Sequence, residues 1–501
     1  MPSSAARNIL LIILDDFGAD SSSLYNSTGA GASLPPTPNI DALARAGVVF
    51  RNAYANPVCS PTRACLLTGR HAFRHGVGNV VEPGGTVLPA TEFTLPEAFA
   101  ANAVALPYHL AQFGKWHLHN QINSPATIGG WPHYAGNLSA GLANYTNWAK
   151  TVDGVRELNR TNYATTDVVD DARAWIQARQ SEPWFAWIAF NAPHAPLHKP
   201  PNALHHYDSL SGTQSDIDSN PRPYYEAMVE AVDAEIARLL AVVDRNETHI
   251  ILLGDNGTPG NVIQPPYATG RAKGTLYEGG IRVPLLITGP SVVSVPRTNE
   301  ALVHVVDLFA TILELAGINR AATVPSNVVL DSRSLLPILR NETEPARCVY
   351  DEIFGSGFGG PASQGRTLRN ERFKLLNFTT GSKEFYDLWS DPYEKTNLLN
   401  QTLTPIQQAN YNSLVLRLGN YQDALPAPVI ADYSFGSGRF SVEILPARNM
   451  SYGLWRAAAL DDLAWAPVAA VAVTNGSGTV TLSDLQPAAS ARFYRVEARS
   501  P

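Results

Sequence analysis

Four short apolar runs, each followed at once by polar residues, constrain the fold of this chain most. The runs are "NILLIIL" at 8–14, "HLAQF" at 109–113, "WFAWIAF" at 184–190 and "HIILL" at 249–253. Uninterrupted apolar runs of this length are typical of strands buried on both faces of a parallel sheet. Amphipathic helical patterns separate them, so the sequence predicts an α/β fold with a large mixed, mostly parallel sheet between helices.

The pattern changes near residue 345. The segments "CVYDEIF", "RTLRNERFKLLNF" and "KEFYDLW" indicate antiparallel strands, and "TPIQQANYNSLVLRLGNY" indicates a closing helix. A stretch rich in proline and alanine at 423–429 is typical of a linker, and short strands separated by turns follow it. We therefore expect an α/β domain at 1–345, a smaller antiparallel α+β C-terminal subdomain at 346–425 and an appended small β-sandwich at 426–501.

Charge and hydropathy exclude some partners. The formal net charge of -7 argues against a nucleic-acid partner, which would favour a basic chain. No apolar run reaches the ~18 residues of a membrane helix, so no membrane partner is expected. The initial "MPSSAAR" is too short and polar for a signal peptide. As written the chain would be cytoplasmic, whereas trimming of an export signal would make it periplasmic or secreted.

The polar residues after two of the runs suit a metal. Asp15 and Asp16 follow the first run, and Asp255 and Asn256 follow the last. Oxygen donors of this kind prefer Ca²⁺ or Mg²⁺ to Zn²⁺, which favours nitrogen and sulfur. The alternative is that these residues only make turns at strand ends, where Asp and Asn are common. Two such pairs, each just past a buried strand, favour the metal.

Cationic side chains recur in the same part of the pattern. They are Arg63, Lys115, His117, His194 and Lys273. Lysine and arginine are usually solvated surface charges, and a single histidine usually carries no chemistry. Beside a metal, however, several cations would hold a tetrahedral oxyanion such as sulfate or phosphate.

Cys59 lies just before a predicted helix, "SPTRACLLTG", at a place where the helix dipole favours negative charge. A buried structural thiol fits Cys65 and Cys348 better than Cys59. A thiolate nucleophile is possible, but a thiol that attacked sulfur would form a thiosulfate ester with no obvious route of release.

Several motifs around these residues occur together in one order. They are "NILLIILDD", "PPTPNIDALARAGVVFRNAY", "CSPTRACLLTGR", "FGKWHL", "APHAP", "LLGDNG", "KGTLYEGGIRVP" and "HVVDLFATILELAG". In this conjunction, above all in C-x-P-x-R followed by "LLTGR", the chain resembles the formylglycine-dependent sulfatases of the alkaline-phosphatase-like superfamily. The resemblance covers roughly residues 8 to 320 and weakens toward about 420.

The resemblance implies a sulfatase that hydrolyses an aryl or carbohydrate sulfate ester. A separate formylglycine-generating enzyme would oxidise Cys59, and the hydrated aldehyde would attack sulfur. His117 would take the second proton, His194 and Lys273 would hold the sulfate, and Arg63 and Lys115 would steady the diol. Lys115 is also counted among the substrate-binding residues. Ca²⁺, with Mg²⁺ possible, would bind to Asp15, Asp16, Asp255, Asn256 and the residue at 59.

Substrate choice and two further residues complete the expectations. The segment 119–154 is rich in aromatic and polar residues and is predicted to be a loop that lines the pocket and selects the substrate. His119, Trp131 and His133 are its candidate substrate contacts, although His119 could equally face water. Its aromatic residues could equally be packing under a lid. His304 and Asp307 fall on the predicted helix "HVVDLFATILELAG" and are interpreted as structural.

Two other functions remain open on the sequence. A phosphatase, phosphodiesterase or phosphonate monoester hydrolase of the same superfamily could use the same pocket. A non-catalytic binding protein on the same scaffold would lack some site residues, yet every matched position is occupied.

Overall fold

The computed structural model describes residues 7–28, 31–82, 85–423, 429–436, 439–445, 450–457, 466–473, 480–484 and 493–499. The chain divides into two compact units, of which the first comprises Met1–Ala72 with Val77–Ile406 and the second Phe73–Gly76 with Gln407–Pro501. The described residues leave out most of the initial segment 1–7 and most of the predicted linker at 423–429. The predicted domain boundary at residue 425 falls in this omitted part of the linker.

A ten-stranded sheet forms the centre of the first unit, with spatial order β10-β2-β9-β8-β1-β7-β3-β4-β5-β6. Its strands are β1 Asn8–Leu14, β2 Gly47–Tyr54, β3 His109–Gly114, β4 Tyr134–Gly136, β5 Trp148–Val152, β6 Val155–Arg160, β7 Trp184–Ala189, β8 Thr248–Gly254, β9 Leu285–Thr288 and β10 Arg297–His304. Strands β8, β1, β7, β3 and β4 are consecutive in the sheet, and each pair of neighbours among these five is parallel. Strand β9 pairs antiparallel with both β2 and β8. The predicted large, mixed and mostly parallel sheet is therefore confirmed.

Helices of the first unit flank this sheet. Over the described residues of both units, the helices are α1 Pro38–Arg45, α2 Cys59–Thr68, α3 Ala72–His75, α4 Leu95–Ala100, α5 Ser124–Thr127, α6 Ala164–Gln177, α7 Gln214–Ser219, α8 Pro221–Leu240, α9 Glu278–Ile281, α10 Asp307–Leu315, α11 Arg320–Thr323, α12 Leu336–Leu339 and α13 Pro405–Asp423. Within the described ranges, no helix is both long enough and apolar enough to span a bilayer.

Strand β1 shows why its residues form a buried central strand. Ile9, Leu11 and Ile13 belong to the hydrophobic core that α2, α4 and α10 cover on one face. The alternate residues, including Leu10 and Ile12, belong to the core under α1, α6 and α8 on the other face. Because side chains alternate along a strand, an uninterrupted apolar run fills both cores at once.

The four strands predicted from the apolar runs, β8, β1, β7 and β3, lie next to one another in the sheet. Their parallel registers bring their carboxyl ends to the same edge. Ligands of open α/β sheets bind at this edge. The polar residues that follow the runs are therefore neighbours in space.

A four-stranded antiparallel sheet follows in the first unit, with β11 Val349–Ile353, β12 Gly365–Arg369, β13 Phe373–Phe378 and β14 Lys383–Asp387 in sequential order. It is tied to α9 by a buried ionic network. The Nζ atom of Lys374 on β13 lies 2.9 Å from Glu278 Oε1 and 2.9 Å from Glu394 Oε1. All three side chains are almost completely buried. Burial opposes ionisation of Glu278, but Lys374 and Arg369 outweigh it and lower the pKa of that carboxyl.

The last strands form two three-stranded antiparallel sheets, with orders β15-β16-β19 and β18-β17-β20. They are β15 Val429–Gly436, β16 Arg439–Leu445, β17 Met450–Ala457, β18 Ala466–Val473, β19 Val480–Asp484 and β20 Phe493–Arg499. Val442 and Leu482 of one sheet and Leu454 of the other are buried. The predicted small antiparallel C-terminal sheets are thus present.

Two expectations are wrong in their local structure. His304 is the last residue of β10 and not part of a helix, because α10 begins only at Asp307. Asp307 instead accepts a hydrogen bond from the His304 backbone N–H at 2.9 Å and pairs with Arg347 at 2.8 Å. The segment 119–154 is also not one long loop, since it contains α5, β4 and β5, and β5 continues into the edge strand β6.

Candidate active site

Asp15 and Asp16 turn the chain away from the end of β1. Asp15 Oδ2 lies 2.5 Å from Lys115 Nζ and 3.4 Å from Arg63 Nη2. Burial opposes the charge on Asp15, but Lys115, His194 and Arg63 outweigh it and hold its pKa below the ordinary value. Asp16 has a φ of 69°, which is unusual outside glycine and typical of backbone held in place for function.

Asp255 and Asn256 reach the same point from the end of β8. Asp255 Oδ1 accepts the backbone N–H of Asp16 at 3.1 Å, and its Oδ2 lies 2.8 Å from Arg63 Nη2. Asn256 donates through Nδ2 to Asp16 Oδ1 at 2.7 Å. Burial and the charge of Asp15 raise the pKa of Asp255. The predicted oxygen donors therefore form one buried group.

Cys59 is the first residue of α2, one position further into the helix than the sequence predicted. Its Sγ lies 3.2 Å from Nδ1 of His117, while Nε2 of His117 lies 3.2 Å from the carbonyl oxygen of Val81. A carbonyl can only accept, so Nε2 carries the proton and the lone pair of Nδ1 faces residue 59. Burial, followed by Lys115 and Arg63, lowers the pKa of His117 well below 6.5, so this ring is neutral at pH 7.

Helix α2 also supplies Arg63, which is completely buried. Besides the two carboxylates, it donates through Nη1 to the carbonyl oxygen of Lys115 at 3.0 Å. Lys115 follows β3 and is equally buried. Arg63 therefore joins the start of α2 to the ends of three strands, and its guanidinium faces carboxylates in this arrangement.

His194 and Lys273 close the group on its more exposed side. Lys273 Nζ lies 2.5 Å from Asp16 Oδ1, and His194 Nε2 lies 3.9 Å from Asp16 Oδ2. Nδ1 of His194 is 2.7 Å from the carbonyl oxygen of Ala195, so Nε2 is left facing the group. The side chain of His194 is 22% exposed, whereas that of Lys273 is 6% exposed. These are the members of the group that a substrate would meet first.

The group fits a divalent cation. Three carboxylates (Asp15, Asp16 and Asp255) face three cationic side chains (Arg63, Lys115 and Lys273). Because burial lowers the pKa of both His117 and His194 and favours their neutral forms, the cluster then has no net charge before any metal binds. Oδ1 of Asp15 and Oδ1 of Asn256 are buried without a hydrogen-bond partner among the described residues. Ligand atoms of Asp15, Cys59 and Asp255 lie within 4.8 Å of one another, as do those of Asp15, Asp16 and His194. Unpartnered oxygens in a carboxylate cluster are donors that Ca²⁺ or Mg²⁺ would satisfy.

Trp131, a predicted substrate contact, lies in the hydrophobic core, as the alternative of packing under a lid expects. Its side chain is 1% exposed and packs in the core, with ring centroids 5.5 Å from Phe185 and 5.9 Å from Trp187. His133 is half-buried and pairs with Asp153 at 2.8 Å. His119 is also half-buried, and its Nδ1 accepts the backbone N–H of Gln121 at 3.1 Å.

Another part of the 119–154 segment does approach the site. The carbonyl oxygen of Leu138 accepts the backbone N–H of His117 at 3.1 Å. A Cβ atom on Gly141 would lie 3.2 Å from Cε1 of His194. Tyr145 donates to the carbonyl oxygen of His194 at 2.7 Å. The segment therefore positions both histidines through residues that the sequence analysis did not single out.

Supporting hydrogen bonds around Cys59 were also not predicted. Ser60 donates to the carbonyl oxygen of His117 at 2.9 Å and accepts the backbone N–H of Val81 at 3.0 Å. Thr62 donates to the carbonyl oxygen of Asp255 at 2.7 Å. Both hydroxyls lie inside the C-x-P-x-R stretch, which was the available signal. They fix the start of α2 against the strand ends.

Comparisons with known proteins identify the family of the chain. The sequence profile described as Sulfatase matches residues 7–318, and that described as N-sulphoglucosamine sulphohydrolase, C-terminal, matches residues 271–418. A protein of Formosa agariphila named Sulfatase is 30% identical, with 82% of this chain and 87% of that protein covered. The N-acetylgalactosamine-6-sulfatase of Homo sapiens is 29% identical, with 66% of this chain and 65% of that protein covered.

Solved structures share the fold. The complex of Ps i-CgsB with k-i-k-neocarrahexaose has a TM-score of 0.69 at 24% identity, with 83% of this chain and 92% of that chain covered. The PsFucS1 sulfatase from Pseudoalteromonas sp. has a TM-score of 0.63 at 21% identity, with 83% and 91% covered. The profile match over residues 7–318 and the 30% identical relative show that the chain belongs to the sulfatase family of the alkaline-phosphatase-like superfamily and is a sulfuric ester hydrolase.

Proposed function

We propose that this enzyme hydrolyses the sulfate ester of a carbohydrate, using formylglycine formed from Cys59 and a Ca²⁺ ion. The observation that carries the proposal is the position of residue 59, whose side chain lies beside His117 in a buried cluster of three carboxylates and three cations. The name of the N-acetylgalactosamine-6-sulfatase, 29% identical over 66% of the chain, supports a sugar as the sulfated alcohol.

Asp15, Asp16, Asp255 and Asn256 would hold the cation. When bound, it would stabilise negative charge on sulfate oxygens, and the hydrated aldehyde would provide an oxygen nucleophile where the thiol stands. The cluster is neutral by itself, so a divalent cation makes it positive. A positive, buried site favours the anionic sulfate group over neutral molecules.

Lys115 and Lys273 would bind sulfate oxygens, each from a position beside an aspartate of the cluster. Burial lowers the pKa of His194, whereas a bound sulfate anion would raise it, so that Nε2 would donate a proton to the leaving oxygen of the ester. His117 would accept a proton at Nδ1 from residue 59, since Nε2 is held by the Val81 carbonyl. Positioned proton transfer of this kind is typically worth ~10²–10⁴-fold in rate.

The test is release of inorganic sulfate by protein co-expressed with a formylglycine-generating enzyme. A panel of sulfated monosaccharides, one generic aryl sulfate and matching phosphate mono- and diesters would be compared, with Cys59→Ala as the inactive control. We expect sulfate release from at least one sugar, together with loss of sulfur and gain of oxygen at residue 59 in peptide mass spectra. Faster cleavage of phosphate esters, or full activity with an intact thiol, would contradict the proposal.

A further inference from the structure

An exposed aromatic ring lies at the edge of the site. Phe358 belongs to the glycine-rich connection between β11 and β12, and it remains 43% exposed. Its ring centroid is 5.9 Å from Nζ of Lys273, one of the two residues placed at the open side of the cluster. Single exposed apolar side chains are common on protein surfaces, so it is the short distance to Lys273, and not the exposure alone, that distinguishes Phe358.

Glycine at position 274 makes room for this ring. A Cβ atom on Gly274 would lie 2.3 Å from Cδ1 and 2.4 Å from Cε1 of Phe358. Gly274 also has a φ of 84° and donates its backbone N–H to the carbonyl oxygen of Pro57 at 2.8 Å. The Cδ1–Cε1 edge of the Phe358 ring therefore packs on the backbone of Gly274, which is hydrogen-bonded to Pro57, two residues before Cys59.

Asn79 fixes the backbone of Phe358. Asn79 Oδ1 accepts the N–H of Phe358 at 2.8 Å, and Asn79 Nδ2 donates to its carbonyl oxygen at 3.1 Å. Asn79 itself is 5% exposed. Two residues later, Val81 bonds to both Ser60 and His117. The same short stretch thus sets the position of Phe358 and of the residues around Cys59.

We propose that Phe358 is an aromatic platform on which the ring of the sulfated sugar stacks while its sulfate group binds beside Lys273. This inference rests on the proposed function and names a contact for the leaving group. The geometry supports it because Nζ of Lys273, which would bind the sulfate, lies over the ring at 5.9 Å, so a sugar joined to that sulfate would be within reach of the exposed part of the ring. Aromatic side chains that keep an open face are common in ligand sites, where they add contact area at little entropic cost.

The experiment measures binding without turnover. Affinities of a sulfated monosaccharide, of the sulfate monoester of an acyclic polyol and of inorganic sulfate are measured by titration calorimetry in Cys59→Ala protein. Adding Phe358→Ala should raise the Kd of the sugar ester about tenfold, the size expected for loss of an aromatic contact of about 1.4 kcal/mol. The Kd values of the acyclic ester and of inorganic sulfate should stay within twofold. Phe358→Tyr should restore the affinity for the sugar ester.

Trp389→Ala is the matched control, because Trp389 is a 69% exposed aromatic that contacts Arg372 and the Glu371 carbonyl and none of the site residues. It should change none of the three affinities. Equal weakening of all three ligands by Phe358→Ala, or no weakening of the sugar ester, would overturn the inference. Turnover by protein whose residue 59 has been converted to formylglycine is measured separately. Failure there would refute the proposed function, whereas failure of the binding contrast refutes only the role of Phe358.

Discussion

Replacing His117 by glutamine should separate the two halves of the reaction. His117 is 1% exposed, its Nδ1 lies 3.2 Å from Cys59 Sγ, and its proton is held on Nε2 by the Val81 carbonyl. The variant loses the neutral base that faces residue 59. It keeps His194, the group that would face the leaving oxygen. We expect release of sulfate to slow more than release of the alcohol.

The magnitude follows from the role. Loss of a positioned general base typically costs ~10²–10⁴-fold, which is about 3–5 kcal/mol in activation free energy. In rapid-quench experiments on formylglycine-containing protein, alcohol and inorganic sulfate are measured separately over the first turnover. His117→Gln should release one equivalent of alcohol ahead of sulfate, the burst expected when the second half of a covalent reaction is slow.

His194→Gln should behave differently, because Nε2 of His194 faces the open side of the cluster. Alcohol and sulfate should slow together, and more for a sugar ester than for an activated aryl ester, whose leaving oxygen needs less protonation. His249→Gln removes another buried histidine, at the amino end of β8, and should leave both rates unchanged. A burst in His194→Gln and none in His117→Gln would mean that the two roles are exchanged. Equal slowing of both products by both variants would refute the reasoning altogether.

Three further predictions concern the metal, the end of helix α2 and acid stability. Asp255→Asn should remove bound Ca²⁺, measured by elemental analysis, and should lower kcat/KM by ~10²-fold or more. The melting temperature should stay within a few degrees of that of the unchanged protein. An unchanged metal content would contradict this metal site. Gly69→Ala should lower the free energy of unfolding by roughly 2–5 kcal/mol, because Gly69 has a φ of 68° and a Cβ atom would lie 2.8 Å from the Phe309 ring; denaturant titration checks this. Burial lowers the pKa of His249 from 6.5 to about 4, so the unfolded chain binds this proton first. The free energy of unfolding should therefore fall by about 3 kcal/mol as the pH drops from above 6.5 to 4. In His249→Gln this contribution to the fall should be absent.

The sequence could predict the parts of the fold that follow from local patterns. The run at 8–14 is apolar at every position but Asn8, and β1 is buried on both faces as that pattern requires. Convergence of Asp15 and Asp255 followed from the parallel sheet rule, without any knowledge of strand order. These features depend on periodicity and on chain direction, both of which a sequence contains.

Other features depend on contacts between distant parts of the chain. The sequence shows that Trp131 is a large apolar residue but not where its side chain lies. Only its tertiary contacts with Phe185 and Trp187 of β7 place it in the core. Phe358 lies 85 residues after Lys273 in a stretch rich in glycine, where no periodicity indicates a direction. His304 was assigned to a helix because its neighbours are apolar, although the helix starts three residues later.

The ionic network around Lys374 decides how this chain can be shortened. Composition changes near residue 345, and that position looks like a natural end for a recombinant fragment. Such a fragment would lose Lys374, which neutralises Glu278, together with the strands whose Ile353, Leu376 and Tyr386 form one apolar core with Leu276 and Val58. Glu278 begins α9 only five residues after Lys273, so the damage would fall beside the sulfate-binding lysine. A working fragment must therefore extend past Glu394, and grafting a different C-terminal sheet onto this chain requires a lysine at the place of Lys374.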